Sequence, residues 1–241
     1  MGALLAERTL EAQKMRIESS ITSVSWIPEG SVTGLARVPF SMGVTHYDDR
    51  PRARLGDIDA LRADPNVREV NRLEAWIEVR DGRIVHSGYG RNAGFVGSTI
   101  LDLGVTRVTV PGRARPVLRR RPLVSSQAAR FVQTIGGRTG MPFPRLTARA
   151  PFLAWNSSTA WTTLVLTLHA DGRKDGWLLG ASPFPRHFLY DEEGNLIGDT
   201  TVTDFGTWFS THYGRETPWR GYDLEPLTIR EFAPAREQEA A

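Results

Sequence analysis

The chain has 241 residues, 40% of them hydrophobic and 24% charged, with a net charge of +3 and no cysteine. That composition supports a sizeable core and excludes a disordered polyelectrolyte. The missing thiols exclude a disulfide framework, a Cys-ligated zinc site, an iron–sulfur cluster and a cysteine nucleophile.

The first 18 residues read as an N-terminal extension with some helical character. Glu7 and Arg8 cut short its apolar start, so it does not read as a secretory leader. Residues 20–27 alternate and are rich in β-branched side chains, which predicts a strand. Residues 32–38 and 42–47 predict two more. Asp57 is placed to cap a short helix to about Ala63, with Pro65 as its stop. Residues 74–80 and 83–88 alternate on either side of Asp81-Gly82, a strong hairpin signal. Further strands are expected over residues 96–101, 105–110, 116–124, 129–135, 145–155, 159–169, 177–179, 187–190 and 196–202. A tight turn is expected at Glu193-Gly194-Asn195. Phe205, Trp208, Phe209 and His212 form a stripe at helical spacing.

About a dozen short strands with two or three short helices predict a mainly β fold, a compact antiparallel barrel or sandwich. Residues 19–232 read as one β-rich domain and residues 233–241 as a flexible tail. No apolar run reaches the ~18 residues of a membrane span, so no membrane partner is expected and the cytoplasm is the expected compartment.

The charges are unevenly placed. Residues 103–170 carry ten arginines and no acid, whereas residues 171–241 carry 13 acids and 7 bases. One reading is a positive surface for an anion or a nucleic acid. The other is that these strands pair with acidic ones, because like-charged neighbours repel.

Candidate chemistry centres on the five histidines. His46 with Asp48 and His169 with Asp171 each have the spacing that puts both side chains on one face of a strand. An Asp there can orient an imidazole as a general base. Nothing resembles a metal-ligand motif, and no metal or cofactor is expected. Arg186 and His187 follow a proline-stiffened turn and are candidates for a ligand carboxylate. Gly136-Gly137-Arg138-Thr139-Gly140 suggests an anion nest with Arg138 beside it. The glycines between Gly88 and Gly94 have no helix after them and make a poor nucleotide loop. Tryptophans pointing inward would fill the core or line a cavity, with Trp161 against the apolar part of a ligand.

Four stretches, SITSVSWIPEG, MGVTHYDD, ARFVQTIGGRTG with MPFPR, and GASPFPRHFLYDEEGNL, together resemble an uncharacterised actinobacterial protein family. Some of its members carry the label of Crp/Fnr-type regulators. The resemblance covers residues 17 to about 220 and implies no activity or catalytic residue. The label would imply a C-terminal helix-turn-helix, and the strand pattern running to about Val202 leaves no room for its pair of helices.

The functional expectation is a protein that binds a small, partly apolar anionic molecule. It would work as a cofactor-independent isomerase, cyclase, hydratase or lyase using histidine as acid or base. The alternative is a ligand-sensing or nucleic-acid-binding regulator that uses the 103–170 arginines.

Overall fold

The computed structural model describes residues 14–26, 53–64, 66–91, 94–102, 106–139, 143–146, 153–156, 159–182, 186–200 and 218–219. Alternating β-branched and apolar residues give long first strands, β1 (Lys14–Trp26) and β2 (Val67–Arg80), paired antiparallel along their whole length. The Asp81-Gly82 turn leads into β3 (Arg83–Tyr89). Both turn residues have positive φ, 51° and 70°, the two-residue geometry whose twist matches the flanking strands.

Short pieces follow: β4 (Phe95–Val96), β5 (Thr99–Asp102), β6 (Arg107–Val110), β7 (Arg113–Ala114), β8 (Leu118–Arg119) and β9 (Leu123–Val124). The chain then makes β10 (Ala128–Arg138), β11 (Phe143–Leu146), β12 (Leu153–Asn156), β13 (Thr159–His169), β14 (Lys174–Ala181), β15 (Arg186–Tyr190) and β16 (Leu196–Asp199).

Among the described residues the first sheet runs β16-β15-β1-β2-β3, with β4 also on β2. The second runs β14-β13-β10-β7, with β8 and β9 also on β10. Pro116 and Pro122 lack the N–H a ladder needs. What reads in sequence as one strand over residues 116–124 is therefore broken, and β7, β8 and β9 touch β10 at three separate places.

The two sheets face each other as a β-sandwich and do not close into a barrel. Between them pack Ile17, Ile21, Leu73, Ala75, Ile77, Val79, Phe131, Leu164, Leu166, Leu168 and Leu189. These are alternate positions of their strands, as a core-facing pleat requires. A second cluster lies on the other face of the first sheet. There Leu61, Leu55 and Ile58 of the preceding segment cover Val24, Val70, Phe188 and Tyr190. One long side of the sandwich is tied shut by backbone and phenol contacts. Ile84 N–H donates to Ser126 O at 2.9 Å, and the Tyr89 hydroxyl lies 2.7 Å from Arg120 O and 2.8 Å from Val132 O.

Several expectations need correction. Residues 14–18 belong to β1, so the strand starts inside the expected extension. The two or three short helices are not seen among the described residues, which hold one turn of 3-10 helix, Ala60–Ala63. Asp57 does not cap that turn; its Oδ1 accepts Asp59 N–H at 2.9 Å, an Asx turn that competes with the cap. Residues 145–155 are not one strand: β11 and β12 pair with each other. Trp76, Trp161 and Trp177 have the opposite parity to the inter-sheet residues of β2, β13 and β14, so they lie on outer faces rather than inside. The expected strands at 32–38 and 42–47, the helix stripe from Phe205 and the C-terminal tail lie outside the described residues.

Phe131 is fully buried and stacks edge-on against Tyr89, with ring centroids 5.2 Å apart. Phe131→Ala is expected to cost ~3–5 kcal/mol in urea unfolding. Val85→Thr, at a position 42% exposed, should stay within ~0.5 kcal/mol. Equal losses at the two positions would contradict this placement of the core.

Candidate functional site

The inner faces of five strands change character near one level. Going along the sandwich, β1 passes from Ile21 to Ser23 and Ser25, and β2 from Leu73 to Asn71 and Glu69. In β10 Phe131 gives way to Gln133, in β13 Leu164 to Thr162, and in β15 Leu189 to His187. All of these polar side chains are buried, with Ser25, Glu69, Asn71, Gln133 and Thr162 fully inaccessible. Burying so many polar groups is tolerable only if each finds a partner.

Most of them do so across strands and sheets, the Ser23 hydroxyl being an exception among the described residues. The Thr162 hydroxyl donates to Glu69 Oε1 at 2.7 Å. Asn71 Nδ2 donates to Thr162 O and Oγ1 at 3.0 and 3.1 Å. Gln133 Nε2 donates to Asn71 Oδ1 at 2.8 Å and to Arg72 O at 2.9 Å, while its own Oε1 accepts Arg119 Nε at 2.7 Å. Ser25 Oγ stands 2.5 Å from Glu69 Oε2 and 2.6 Å from His187 Nδ1. His187 Nε2 lies 2.6 Å from the Ser182 carbonyl at the end of β14. A carbonyl only accepts, so Nε2 carries the ring hydrogen and Nδ1 faces Ser25.

Burial dominates the electrostatics. It pushes the Glu69 carboxyl up to about 8, against the weaker downward pull of the hydrogen bonds from Ser25 and Thr162. It pushes the His187 imidazole down to about 4, with the Ser182 carbonyl working against that shift. Near neutrality both groups are held uncharged in the interior. Clusters of this kind, with displaced acid and base in contact, concentrate at functional sites.

The expected site residues fall elsewhere. His46 and Asp48 lie outside the described residues. His169 does not pair with Asp171: its Nε2 meets Asp175 Oδ2 at 2.8 Å. Asp171 binds Arg173 instead, through Nε at 2.8 Å, and that contact is the main reason its carboxyl sits below the usual range. The Asp171-Gly172 turn, with Gly172 at φ 92°, directs the carboxylate back onto Arg173. His169 and Thr162 stand seven residues apart on β13, about 23 Å along the strand, so His169 is far from His187.

His187 is an interior side chain rather than a surface ligand contact, and its neighbour Arg186 turns to Asp199. Arg138 is exposed at the end of β10. Gly136 and Gly137 are strand residues and make no anion nest: a Cβ on Gly136 would strike Trp161 and Ala160, and one on Gly137 would strike Arg113 and Ala114. Trp161 stands beside Gly136 with its ring over Gly180, and its backbone N–H donates to Ser182 Oγ at 3.1 Å. Of the expected residues that are described, Trp161 and His187 are thus linked through Ser182, while Arg138, His169 and Asp171 make no contact with them. Several arginines of the 103–170 stretch lie over rings: Arg115 on Trp219, Arg119 on Tyr89 and Arg130 on Trp177.

A separate open cleft of about 640 Å³ lies on the outer face of the first sheet. Its lining includes Arg16, Arg72, Trp76, Arg91, Glu192 and Glu193. The guanidinium of Arg16 sits 4.3 Å from the Trp76 ring centroid. Gly88 leaves room for that ring, since a Cβ there would touch it. Among the described residues no group of three or more His, Asp or Glu is arranged to hold a metal ion.

Fold and site together define an antiparallel β-sandwich with a half-polar interior and an outer cleft of small-molecule size. No family model, curated protein or solved structure matches the chain. No helix among the described residues is long and apolar enough to cross a membrane.

Thr162 both donates to Glu69 and accepts from Asn71, so Thr162→Val leaves two buried partners short of a bond. The expected loss is ~1–3 kcal/mol in chemical unfolding. A change under ~0.5 kcal/mol would show that the inter-sheet contact contributes nothing.

Proposed function

We propose that the protein binds a small, partly apolar anionic molecule in the cleft on the outer face of its first sheet. The observation that carries this reading is the combination of volume and lining. About 640 Å³ is within the usual range for small-molecule sites, and the lining combines an indole, with the Arg16 guanidinium over its ring, and two further arginines. Arg16 and Arg72 are bonded to Glu18 and Glu74 through side chains that are at least 29% exposed. Such pairs are worth little in water, so a carboxylate or phosphate can displace the native partner at small cost. Arg91 is exposed as well. Glu193, and Glu192 with its partner Lys174, add groups to the same lining that suit a hydroxyl of the ligand. The described lining holds no histidine, so the reading is of binding. Catalysis by His46 or His169 has no support from this cleft.

Calorimetric titration with aryl carboxylates and phosphate monoesters tests the proposal. At least one compound should bind, and Arg72→Ala should weaken it about ten- to hundredfold, the value of a charge-assisted hydrogen bond. No binding by any of them, or an unchanged affinity in the variant, would remove the cleft as the site. Steeply salt-dependent retention on heparin at ~50 mM salt would instead favour the nucleic-acid-binding regulator.

A further inference from the structure

We propose that Glu69, Ser25 and His187 share a single proton that fastens the polar end of the sandwich, and that this end opens when the proton is lost. The argument begins with counting hydrogens. Glu69 Oε2, Ser25 Oγ and His187 Nδ1 make two short contacts in a row, 2.5 and 2.6 Å. Two hydrogen bonds need two hydrogens. Ser25 supplies one from its hydroxyl. Glu69 Oε1 already accepts from Thr162, and His187 Nε2–H already donates to Ser182 O. The second hydrogen must therefore sit on Glu69 as the neutral acid or on His187 Nδ1 as the imidazolium. Either arrangement satisfies both contacts, and Ser25 can relay the proton between them. With no such proton, a buried carboxylate and a lone pair compete for one hydroxyl. With two, both neighbours donate to Ser25, its own hydrogen has no acceptor in the line, and a buried cation remains.

The line closes a circuit through both sheets. Glu69 on β2 is joined to β13 by Thr162, and Ser182 N–H donates to Trp161 O, also on β13, at 2.9 Å. Ser182 O accepts from His187 on β15, which reaches Ser25 on β1 and so returns to Glu69. Breaking any member loosens the contact between sheets at this end, while the apolar end, with Ile77 and Leu168, is held by packing and by the Ile84–Ser126 backbone bond, none of which titrates.

Arg119 on β8 reaches the network through Gln133 Oε1 at 2.7 Å, and the charged groups of β2 and β15 point away. Arg68 on β2 donates to Ser98 O at 2.9 Å, Arg72 on β2 pairs with Glu74, and Arg186 on β15 pairs with Asp199 beyond it on β16. The inner faces of β10 and β13 present Gln133 and Thr162, which do not titrate. Neither Glu69 nor His187 owes its shift to a neighbouring charge.

The sign of the pH dependence follows. Glu69 titrates at about 8 when closed, against an ordinary value of 4.5 when exposed. The open form therefore binds fewer protons over that interval, and opening becomes easier as pH rises. His187 titrates at about 4 when closed, against 6.5 when exposed. It acts oppositely between those values, making opening easier as pH falls. The two slopes cancel between pH 4.5 and 6.5, so Glu69 alone governs the interval from 6.5 to 8.

Amide hydrogen exchange on the full chain, corrected for intrinsic base catalysis, is the test. Exchange at Thr162 and Asn71 should rise about tenfold per pH unit between 6.5 and 8, as release of one proton requires. Exchange at Leu168 and Ile77 should not. Glu69→Gln keeps an acceptor for Thr162 and puts a fixed donor on Ser25, so it should fold and lose the rise. A flat profile in the natural chain, or the same rise in the variant, overturns the proposal. Should the variant fail to fold, ring 15N resonances of the natural chain decide. His187 must remain the Nε2–H tautomer through pH 6.5, and titration there at its ordinary value refutes the lock.

Discussion

Face-to-face packing of two long antiparallel pairs, β1–β2 and β10–β13, is the constraint on which the remaining structure depends. Each pair is in register over at least eleven residues. Ile21, Leu73, Phe131 and Leu164 interleave between them. Once that register is set, the period of two along each strand leaves no choice about the rest of the inner face. Ser25, Glu69, Gln133 and Thr162 are buried because they share parity with those apolar residues. A slip by one residue would expose the polar set and the apolar set together.

The polar half of the interior is less economical than an apolar one of the same volume, since each group must be desolvated and then re-satisfied. Interiors of this kind often gain little stability but enforce one arrangement of the elements. Here the contacts run from sheet to sheet, from Asn71 to Thr162 and from Gln133 to Asn71. They fix the lateral position of the sheets in a way that interchangeable aliphatic contacts cannot. Displaced acid and base sit on that network, which places the titratable chemistry of the protein inside the fold and its exposed charges on the outer cleft.

Much of the fold was legible in the sequence. The hairpin at Asp81-Gly82 was visible because only a two-residue turn with positive φ fits between two alternating runs, and both residues tolerate it. The extent of β13 was visible because its branched and apolar residues run without interruption between two turns. The single strand expected over residues 116–124 is broken because Pro122 inside it has no N–H to give the ladder. The candidate site was less legible. His187 was singled out, but as a surface contact beside Arg186. Glu69, Asn71, Gln133 and Thr162 were not singled out at all. Glu69 and Asn71 precede the run expected from residue 74, where the apolar residues Val67, Val70 and Leu73 are three apart, and Gln133 and Thr162 stand in runs without strict alternation.

Strand parity marks the boundary between what sequence and tertiary structure decided. The sequence by itself determined that the chain is built of antiparallel strands, where its tight turns fall, and that no thiol chemistry is available. Those properties arise from neighbours along the chain: side-chain branching, glycine and aspartate at positive φ, and the absence of cysteine. Only the tertiary structure decided that Ser25, Glu69 and His187 meet. They are separated by 44 and 162 positions along the chain. A serine or glutamate alternating with apolar residues has the same pattern whether its face meets water or another sheet. The second sheet, by excluding water from that face, turned an ordinary polar alternation into a buried acid, hydroxyl and imidazole in direct contact.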